Sequence, residues 1–341
     1  MPKINLKALS KKELESFIRE SGLPSFRIKQ LLHWIYERRV TSISEITEFS
    51  KELRENLSQR AYLSTPGLLK RLASEDGTEK FLFGLEDGES IESVLIPDKD
   101  RLTLCISSQA GCAMKCRFCL TGTLKLRRDL EAHEIVDQVI SVGRLIAPQR
   151  VTNIVFMGMG EPLDNLTRVT ESIRRMTELM KISKRRITLS TSGIAPKILE
   201  LGDVGIPRVN LAISLNATTD EIRNRLMPVN RRYPLSSLLA ACRRFPLEPR
   251  RRITFEYVLL EGVNDTGDDA KRLLKMLKDI PCKINLIPFN PYQGSEFRRP
   301  PDETISAFQK VLTDGKLTAL VRKSKGQDIL AACGQLKAGY C

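Results

Sequence analysis

Short apolar segments alternate with longer amphipathic segments along the chain from residue 101 onward. The predicted strands, in order, are LTLCISS, TNIVFMGM, RRITLSTS, VNLAISLN, RITFEYVLL and KINLIPFN, followed by a last strand-like TALVRKS. Helical patterns such as AHEIVDQVISVGRLI, LTRVTESIRRMTELM and DDAKRLLKMLKD lie between them. This rhythm is typical of βαβ units and predicts an α/β fold with a mostly parallel sheet. Six βα units are too few to close an eight-unit barrel, so we predict a partial, open six-unit βα barrel, with a doubly wound sheet as the structural alternative.

The first hundred residues follow different patterns. Residues 12–61 have helical periodicity, with a Gly after ESFIRES and a capping Ser before KELRENLSQ. Residues 67–97 instead read as short strands separated by EDGT and EDGE, whose Asp-Gly pairs favour tight hairpins. We therefore predict an N-terminal helical accessory domain over 1–65, a β-meander connector over 66–100 and a catalytic barrel domain over 101–341 that includes the C-terminal segment.

The charge of the chain adds a class of partner. Fifty-five Lys and Arg against 41 Asp and Glu give a formal charge of +14, and basic runs recur along most of the chain. Such a surface attracts polyanions, nucleic acid first, although a basic surface can also serve solubility alone. No apolar stretch is long enough to span a membrane, and the first residues lack the apolar core of a secretory signal, so we expect a cytoplasmic protein without a membrane partner.

Eight cysteines in a chain of this kind indicate metal or redox chemistry more than a disulfide framework. Three of them, Cys112, Cys116 and Cys119, stand in GCAMKCRFCL. Three thiolates suit an iron–sulfur cube with one open iron. By spacing alone, zinc remains an alternative, with a fourth ligand from His33, His133, Cys105 or Cys333. The remaining cysteines, Cys242, Cys282 and Cys341, are interpreted as structural or incidental.

Polar residues follow most of the predicted parallel strands, where such folds place their chemistry. Singly, each would be read as a turn residue or a helix cap. Together they predict a pocket lined by Gly160, Glu161, Ser190, Thr191, Ser192, Ser214, Leu215, Asn216 and Asn290.

Several long motifs in order resemble the RlmN branch of the RlmN/Cfr family of RNA methyltransferases, within the radical S-adenosylmethionine superfamily. They are LCISSQAGCAMKCRFC, IVFMGMGEPLDN, RRITLSTSG, LAISLNA, PCKINLIPFNP and VRKSKGQDILAACGQL. The resemblance implies a partial barrel of the radical S-adenosylmethionine type. It also implies one [4Fe-4S] cluster and two molecules of S-adenosylmethionine per turnover, and an N-terminal segment that is a candidate for binding RNA.

The resemblance also implies roles for individual residues. Cys112, Cys116 and Cys119 would hold the cluster. Gly160 and Glu161 would contact the methionine amino group of S-adenosylmethionine, and the rest of that cofactor would be lined by Ser190, Ser214, Leu215, Asn216 and Asn290. At position 216 related sequences often carry His, so this contact departs from the family pattern. Cys333 would carry the methyl group, Cys105 would release the product through a transient Cys105–Cys333 disulfide, and Glu92 would accept a proton.

The implied reaction is methylation of C2 of an adenine in 23S ribosomal RNA, with tRNA as a second candidate substrate. The implied partners are an electron donor such as flavodoxin or ferredoxin and an external disulfide reductant, and the protein is expected to be a monomer. Three alternatives stay open at this point: methylation of adenine C8 as in Cfr, a zinc-stabilised RNA-binding protein without catalysis, and a dithiol oxidoreductase built on Cys105 and Cys333.

Overall fold

The computed structural model describes residues 2–203 and 208–337, so Cys341 lies outside the described residues. The N-terminal segment is mainly helical. Its elements are β1 (Ile4–Asn5), α1 (Lys11–Glu20), α2 (Arg27–Leu32), a π-helical continuation (His33–Arg38), a 3-10 turn (Ile43–Glu45), α3 (Lys51–Arg60) and β2 (Ala61–Tyr62). Local capping explains where the helices begin: Ser10 forms a capping box with Glu13, and the Ser50 side chain accepts from the amide of Leu53.

Three antiparallel strands follow: β3 (Gly67–Ala73), β4 (Glu79–Gly84) and β5 (Ser90–Asp98). The two predicted Asp-Gly turns join them, with Gly77 and Gly88 at φ angles of 80° and 88°, which glycine adopts most easily. The meander does more than connect two parts of the chain. Its strand β5 pairs with β6 (Arg101–Cys105), the first of the parallel strands, so the meander extends the sheet of the barrel.

The remainder of the chain alternates strands and helices. The strands are β7 (Gln109–Ala110), β8 (Arg128–Asp129), β9 (Asn153–Phe156), β10 (Ile187–Thr191), β11 (Asn210–Ser214), β12 (Ile253–Leu259), β13 (Cys282–Pro288) and β14 (Ala319–Val321). The helices are α4 (Ala132–Leu145), α5 (Leu166–Glu178), α6 (Ala195–Asp203), α7 (Asp220–Leu226), α8 (Leu235–Arg244), α9 (Gly267–Leu277) and α10 (Asp302–Asp314). Short 3-10 turns span Leu120–Thr123, Lys184–Arg186 and Pro228–Arg231.

The main sheet has ten strands in the order β14-β13-β12-β11-β10-β9-β6-β5-β4-β3. The seven strands from β6 to β14 in this sheet are mutually parallel and follow chain order without reversal. A doubly wound sheet would reverse its order at a switch point. Within the described residues β14 and β3 remain separate edges, so the predicted partial, open barrel is confirmed.

The N-terminal segment is fixed to the barrel by buried polar contacts. Lys7 Nζ lies 2.7 Å from Asp137 Oδ1 on α4, with both side chains almost fully buried. On α5, Arg175 Nη1 donates to the carbonyl of Lys7 at 2.6 Å. Moving the segment relative to the barrel would separate this buried ion pair and leave its charges uncompensated. These contacts therefore fix the orientation of the segment on the barrel. In the described part of the chain, no helix has the length and apolarity needed to cross a membrane.

Candidate active site

The three clustered cysteines lie in one tightly packed loop after β6. A single cavity at the carboxyl ends of the parallel strands, the candidate cofactor cavity, is lined by Cys112, Cys116 and Cys119. Glycines allow the loop to fold this tightly: a Cβ on Gly111 would lie 2.1 Å from the carbonyl oxygen of Lys125, and Gly111 has a φ of +81°. The sequence therefore brings three thiols to one cavity wall.

This donor set fits an iron–sulfur cube. Within residues 2–203 and 208–337, no three His, Cys, Asp or Glu side chains converge on a point that could hold one metal ion. A cube makes no such demand, because it binds each thiolate through a different iron. Burial raises the pKa of all three thiols, and coordination to iron would hold them as thiolates, the form that binds metal.

Glu161 is held rigidly beside these thiols. Its carboxylate accepts from the amides of Ser192 at 2.6 Å and Leu163 at 3.0 Å, and its own amide donates to Gln109 Oε1 at 2.8 Å. Gly160 precedes it with a φ of +99° and leaves no room for a Cβ beside Gln109. Burial raises the pKa of Glu161, and the hydrogen bonds from Ser192 oppose that rise. The pair presents a fixed carboxylate and an open backbone to the cavity, as a bound ammonium group would require.

The other predicted cofactor contacts divide into two groups. Ser190, Ser214, Asn216 and Asn290 line the same cavity. The side chain of Leu215 lies in the hydrophobic core instead, and its backbone amide donates to the carbonyl of Glu256.

Asn216 has its own structural reason to be asparagine. Its φ of 58° is in the left-handed region, which Asn tolerates better than most residues. Its Oδ1 accepts from the amide of Val258 at 2.8 Å. The side chain therefore joins two neighbouring strands where it faces the cavity.

Cys333 lies on a C-terminal segment that closes over the cysteine loop. The amide of Leu120 donates to the carbonyl of Gly334 at 2.6 Å, and Thr121 Oγ1 donates to the carbonyl of Leu336 at 2.6 Å. Asn290 Nδ2 donates to the carbonyl of Cys333 itself at 3.1 Å. The thiol of Cys333 is exposed and lines the cofactor cavity. Residues distant in sequence are thus assembled at one site.

Cys105 lies beneath this segment at the end of β6. It is buried in a small cluster with Val94, Ala331 and Leu336. Burial, together with the nearby Cys333, raises the pKa of Cys105 to about 12, while Arg322 acts in the opposite direction. A thiol in this position is protected from solvent and becomes a nucleophile only when a cation or a polar ligand stabilises its thiolate.

Glu92 and Lys80 form a buried ion pair under the two ends of the Cys333 segment. Lys80 Nζ lies 3.2 Å from Glu92 Oε1, with exposed side-chain fractions of 4% and 0%. Lys80 Nζ also donates to the carbonyl of Leu330 at 3.3 Å, and Glu92 Oε2 accepts from the amide of Lys337 at 2.8 Å. Glu92 was among the predicted site residues, whereas Lys80 was not, because a Lys in a strand with two polar faces is normally interpreted as solvated.

Replacing Lys80 with methionine should lower the free energy of unfolding by about 3–5 kcal/mol, because a buried carboxylate loses its counter-ion. Burial already raises the pKa of Glu92 above its usual 4.5, and loss of Lys80 raises it further. A carboxyl group whose pKa is higher in the folded than in the unfolded chain lowers the free energy of unfolding once the pH exceeds the unfolded-state pKa, and it does so increasingly as the pH rises toward the folded-state pKa. The deficit of Lys80→Met should therefore be larger near pH 8 than near pH 5 in urea unfolding.

Lys70→Met provides the matched control, since Lys70 is exposed on the adjacent strand β3. It should leave stability nearly unchanged at both pH values. A deficit for Lys80→Met that did not vary with pH would contradict the proposed ionic contact.

A second opening reaches Cys333 from the opposite end of the barrel. This cleft has a volume of about 780 Å³ and shares Ile287, Asn290 and Cys333 with the cofactor cavity. Its basic lining residues are Lys99, Arg101, Arg186, Arg322, Lys323 and Lys325. The cleft offers an anionic ligand a route to the exposed thiol.

The cavity contains one further acidic residue that was not predicted, Glu256 in the strand ITFEYVL. A carboxylate inside an otherwise apolar parallel strand is the signal that could have identified it, because such strands are buried on both faces.

Comparisons with known proteins place two family models on this chain. The model of the radical SAM superfamily matches residues 106–277, and the model of the ribosomal RNA large subunit methyltransferase N-terminal domain matches residues 4–63. The chain is 54% identical over 98% of its length to the dual-specificity RNA methyltransferase RlmN of Pelobacter propionicus, covering 96% of that protein. The corresponding protein of Geobacter sulfurreducens is 54% identical, with 98% and 92% of the two chains covered.

A similar structure has also been solved. The crystal structure of a radical SAM methyltransferase from Sphaerobacter thermophilus superposes with a TM-score of 0.94 at 43% identity. The match covers 98% of this chain and 99% of that one.

Proposed function

The chain belongs to the RlmN family of radical S-adenosylmethionine RNA methyltransferases, and we propose that it methylates C2 of an adenine in 23S ribosomal RNA. The family uses a [4Fe-4S] cluster and S-adenosylmethionine. The RlmN-type relatives favour C2 over the C8 chemistry of Cfr. Family membership also argues against the zinc-stabilised and simple oxidoreductase alternatives.

One observation carries the mechanism: Cys333 faces the cavity of the three cluster cysteines while its segment packs on Cys105. The proposed methyl carrier, the proposed resolving thiol and the proposed cluster ligands therefore meet at one site. Glu92 contacts the end of the Cys333 segment through the amide of Lys337, although it is fully buried and is not among the residues that line the cofactor cavity or the cleft.

When bound, the cluster and two molecules of S-adenosylmethionine supply a methyl group and a 5′-deoxyadenosyl radical. The Cys333 thiolate accepts the methyl group, and loss of a hydrogen atom from that methyl group leaves a radical that adds to C2 of adenine. Glu92 would accept the C2 proton once the adduct has given up one electron, for which the bound cluster would be the acceptor. The Cys105 thiolate then attacks the Cys333 sulfur: an S–S bond forms, the S–C bond breaks and the product carbon takes a proton.

Arg322 is placed to assist this last step. It lines the cleft beside Cys333, and its charge opposes the rise in the pKa of Cys105 caused by burial. A guanidinium cannot lose its charge under these conditions. We propose that it stabilises whichever of the two sulfurs carries negative charge during the exchange.

The remaining partners follow from the chemistry. We propose that an electron donor such as flavodoxin or ferredoxin supplies electrons to the cluster. We also propose that an external reductant reduces the Cys105–Cys333 disulfide to two thiols with two electrons. We also propose that the protein acts as a monomer and that tRNA is a second substrate.

Two basic surfaces support the proposal that RNA is the partner. The cleft described above leads to Cys333, and a groove of about 880 Å³ lies between the N-terminal segment and the barrel. In this groove burial, together with the charge of Arg150, lowers the pKa of Arg39, so two guanidinium groups contribute positive charge to the same surface. Arg186 lines both openings. We propose that phosphates of one RNA follow this surface.

RNA affinity should fall steeply with salt, and the double variant Arg39→Ala/Arg150→Ala should reduce the slope of log K against log salt by roughly 1–2. Fluorescence anisotropy with a labelled 23S rRNA fragment measures this slope. Lys275→Ala on the outer helix α9 is the control, because that exposed residue lines neither opening, and it should leave the slope unchanged. An equal slope for wild type and the double variant would remove the groove from the RNA interface.

The direct test of the function is product analysis. Anaerobically reconstituted protein, S-adenosylmethionine, a reducing system and a 23S rRNA fragment should yield 2-methyladenosine by nucleoside mass spectrometry. Formation of 8-methyladenosine alone would overturn the C2 assignment.

A further inference from the structure

Glu256 is a buried carboxylate that the proposed mechanism does not use. It lies on β12, and 5% of it is exposed. The strand register places it opposite Ser214 of β11 on one side and opposite Asn285 of β13 on the other. Because paired residues of neighbouring strands face the same side of a sheet, these three residues form a polar row across the interior of the barrel.

Only one of its two oxygens is satisfied within the described part of the chain. Oε1 accepts from Asn285 Nδ2 at 2.9 Å, whereas Oε2 is buried and has no hydrogen-bond partner there. An unpaired buried carboxylate oxygen is costly, and native structures keep such groups mainly where a ligand completes them. The bond from Asn285 fixes the side chain, so Oε2 is held ready to accept a hydrogen bond.

This polar row lies between the two openings of the barrel. Glu256 and Ser214 line the cofactor cavity, while Asn285 and Arg322 line the basic cleft. Cys333, the proposed methyl carrier, lines both. Glu256 therefore stands where the two openings meet, beside the thiol that the target base must reach.

We propose that Glu256 Oε2 accepts a hydrogen bond from the exocyclic amino group of the target adenine and so selects adenine at this site. The inference rests on the proposed function and names a specificity residue for it. Among the polar atoms of an adenine base in RNA, only the amino group donates hydrogen bonds, since its free ring nitrogens are acceptors. A base with a carbonyl in place of the amino group would bring an acceptor against a carboxylate, which is repulsive.

Glu256→Gln tests this with little structural change. The glutamine carbonyl can still accept from Asn285, and its amide then places a donor where Oε2 stood. Rates and affinities are compared on two RNA fragments that carry adenine or hypoxanthine at the target position. The ratio of methylation rates, adenine over hypoxanthine, should fall roughly 10- to 100-fold in the variant, the loss expected when a hydrogen bond to a charged group is removed. The ratio of RNA affinities, adenine fragment over hypoxanthine fragment, should also fall in the variant.

Comparing ratios cancels the different intrinsic reactivity of the two bases, and circular dichroism verifies folding. Glu303→Gln on α10, an exposed position, is the control and should keep the wild-type ratio. Methylation of Cys333 in the absence of RNA, followed by intact-protein mass, reports separately on how Glu256→Gln affects the binding of S-adenosylmethionine.

The outcomes are distinguishable. An unchanged ratio together with slow RNA-independent methylation of Cys333 would mean that Glu256 holds the cofactor, and an unchanged ratio alone would also overturn the inference. Failure of the wild-type protein to methylate adenine at all would instead contradict the proposed function.

Discussion

Replacing Cys105 with alanine should stop turnover and leave the protein covalently attached to its RNA. The proposed steps before release depend on Cys333, Glu92 and the cofactors, so the adduct should still form. Release needs a thiolate to attack the Cys333 sulfur, and Cys105 packs against the segment that carries it. Denaturing gel electrophoresis with labelled RNA should show a single slow band that protease converts to free RNA.

The matched control is Cys282→Ala, because Cys282 is also a buried strand cysteine, at the start of β13. It should turn over normally and trap no RNA. Cys105→Ala with free, methylated RNA accumulating over repeated turnovers would remove Cys105 from the release step. The double variant Cys105→Ala/Cys333→Ala should form no adduct.

Replacing Cys112 with alanine should abolish both methylation of Cys333 and modification of RNA. It removes one of the three thiols that line the cofactor cavity, and a cube then has too few protein ligands to stay bound. Iron and sulfide content and visible charge-transfer absorption should be lost together. RNA affinity should persist, because the basic cleft and groove do not include this loop residue.

Cys242→Ala serves as the control, since Cys242 lies buried in α8 and lines neither the cofactor cavity nor the basic cleft. It should retain iron, absorption and activity. Turnover that survived Cys112→Ala would favour a dithiol reaction of Cys105 and Cys333 and would contradict the radical mechanism.

Much of the fold could be predicted from local pattern. The seven apolar segments after residue 101 become the seven parallel strands in chain order, because each βα unit places its strand beside the previous one. The Asp-Gly turns and the Ser caps were equally readable, since they depend on a few adjacent residues. The role of the meander was not, because its pairing with β6 through β5 depends on distant packing.

The candidate site divides in the same way. The spacing of Cys112, Cys116 and Cys119 placed three thiols in one loop and predicted ligands for an iron–sulfur cluster, with zinc as the alternative. Leu215 shows the limit of motif reading, because its side chain faces the core although its neighbours Ser214 and Asn216 line the cavity.

The sequence by itself determined the strand and helix segments, the grouping of three cysteines in one loop and the family, since these depend on periodicity and on short spacings along the chain. Only the tertiary structure decided which distant groups meet. It brought Cys333 over Cys105, paired Lys80 with Glu92, and left Glu256 Oε2 open between two cavities. The physical reason is that burial and partnership depend on strand register and on the path of the C-terminal segment, which local sequence does not encode.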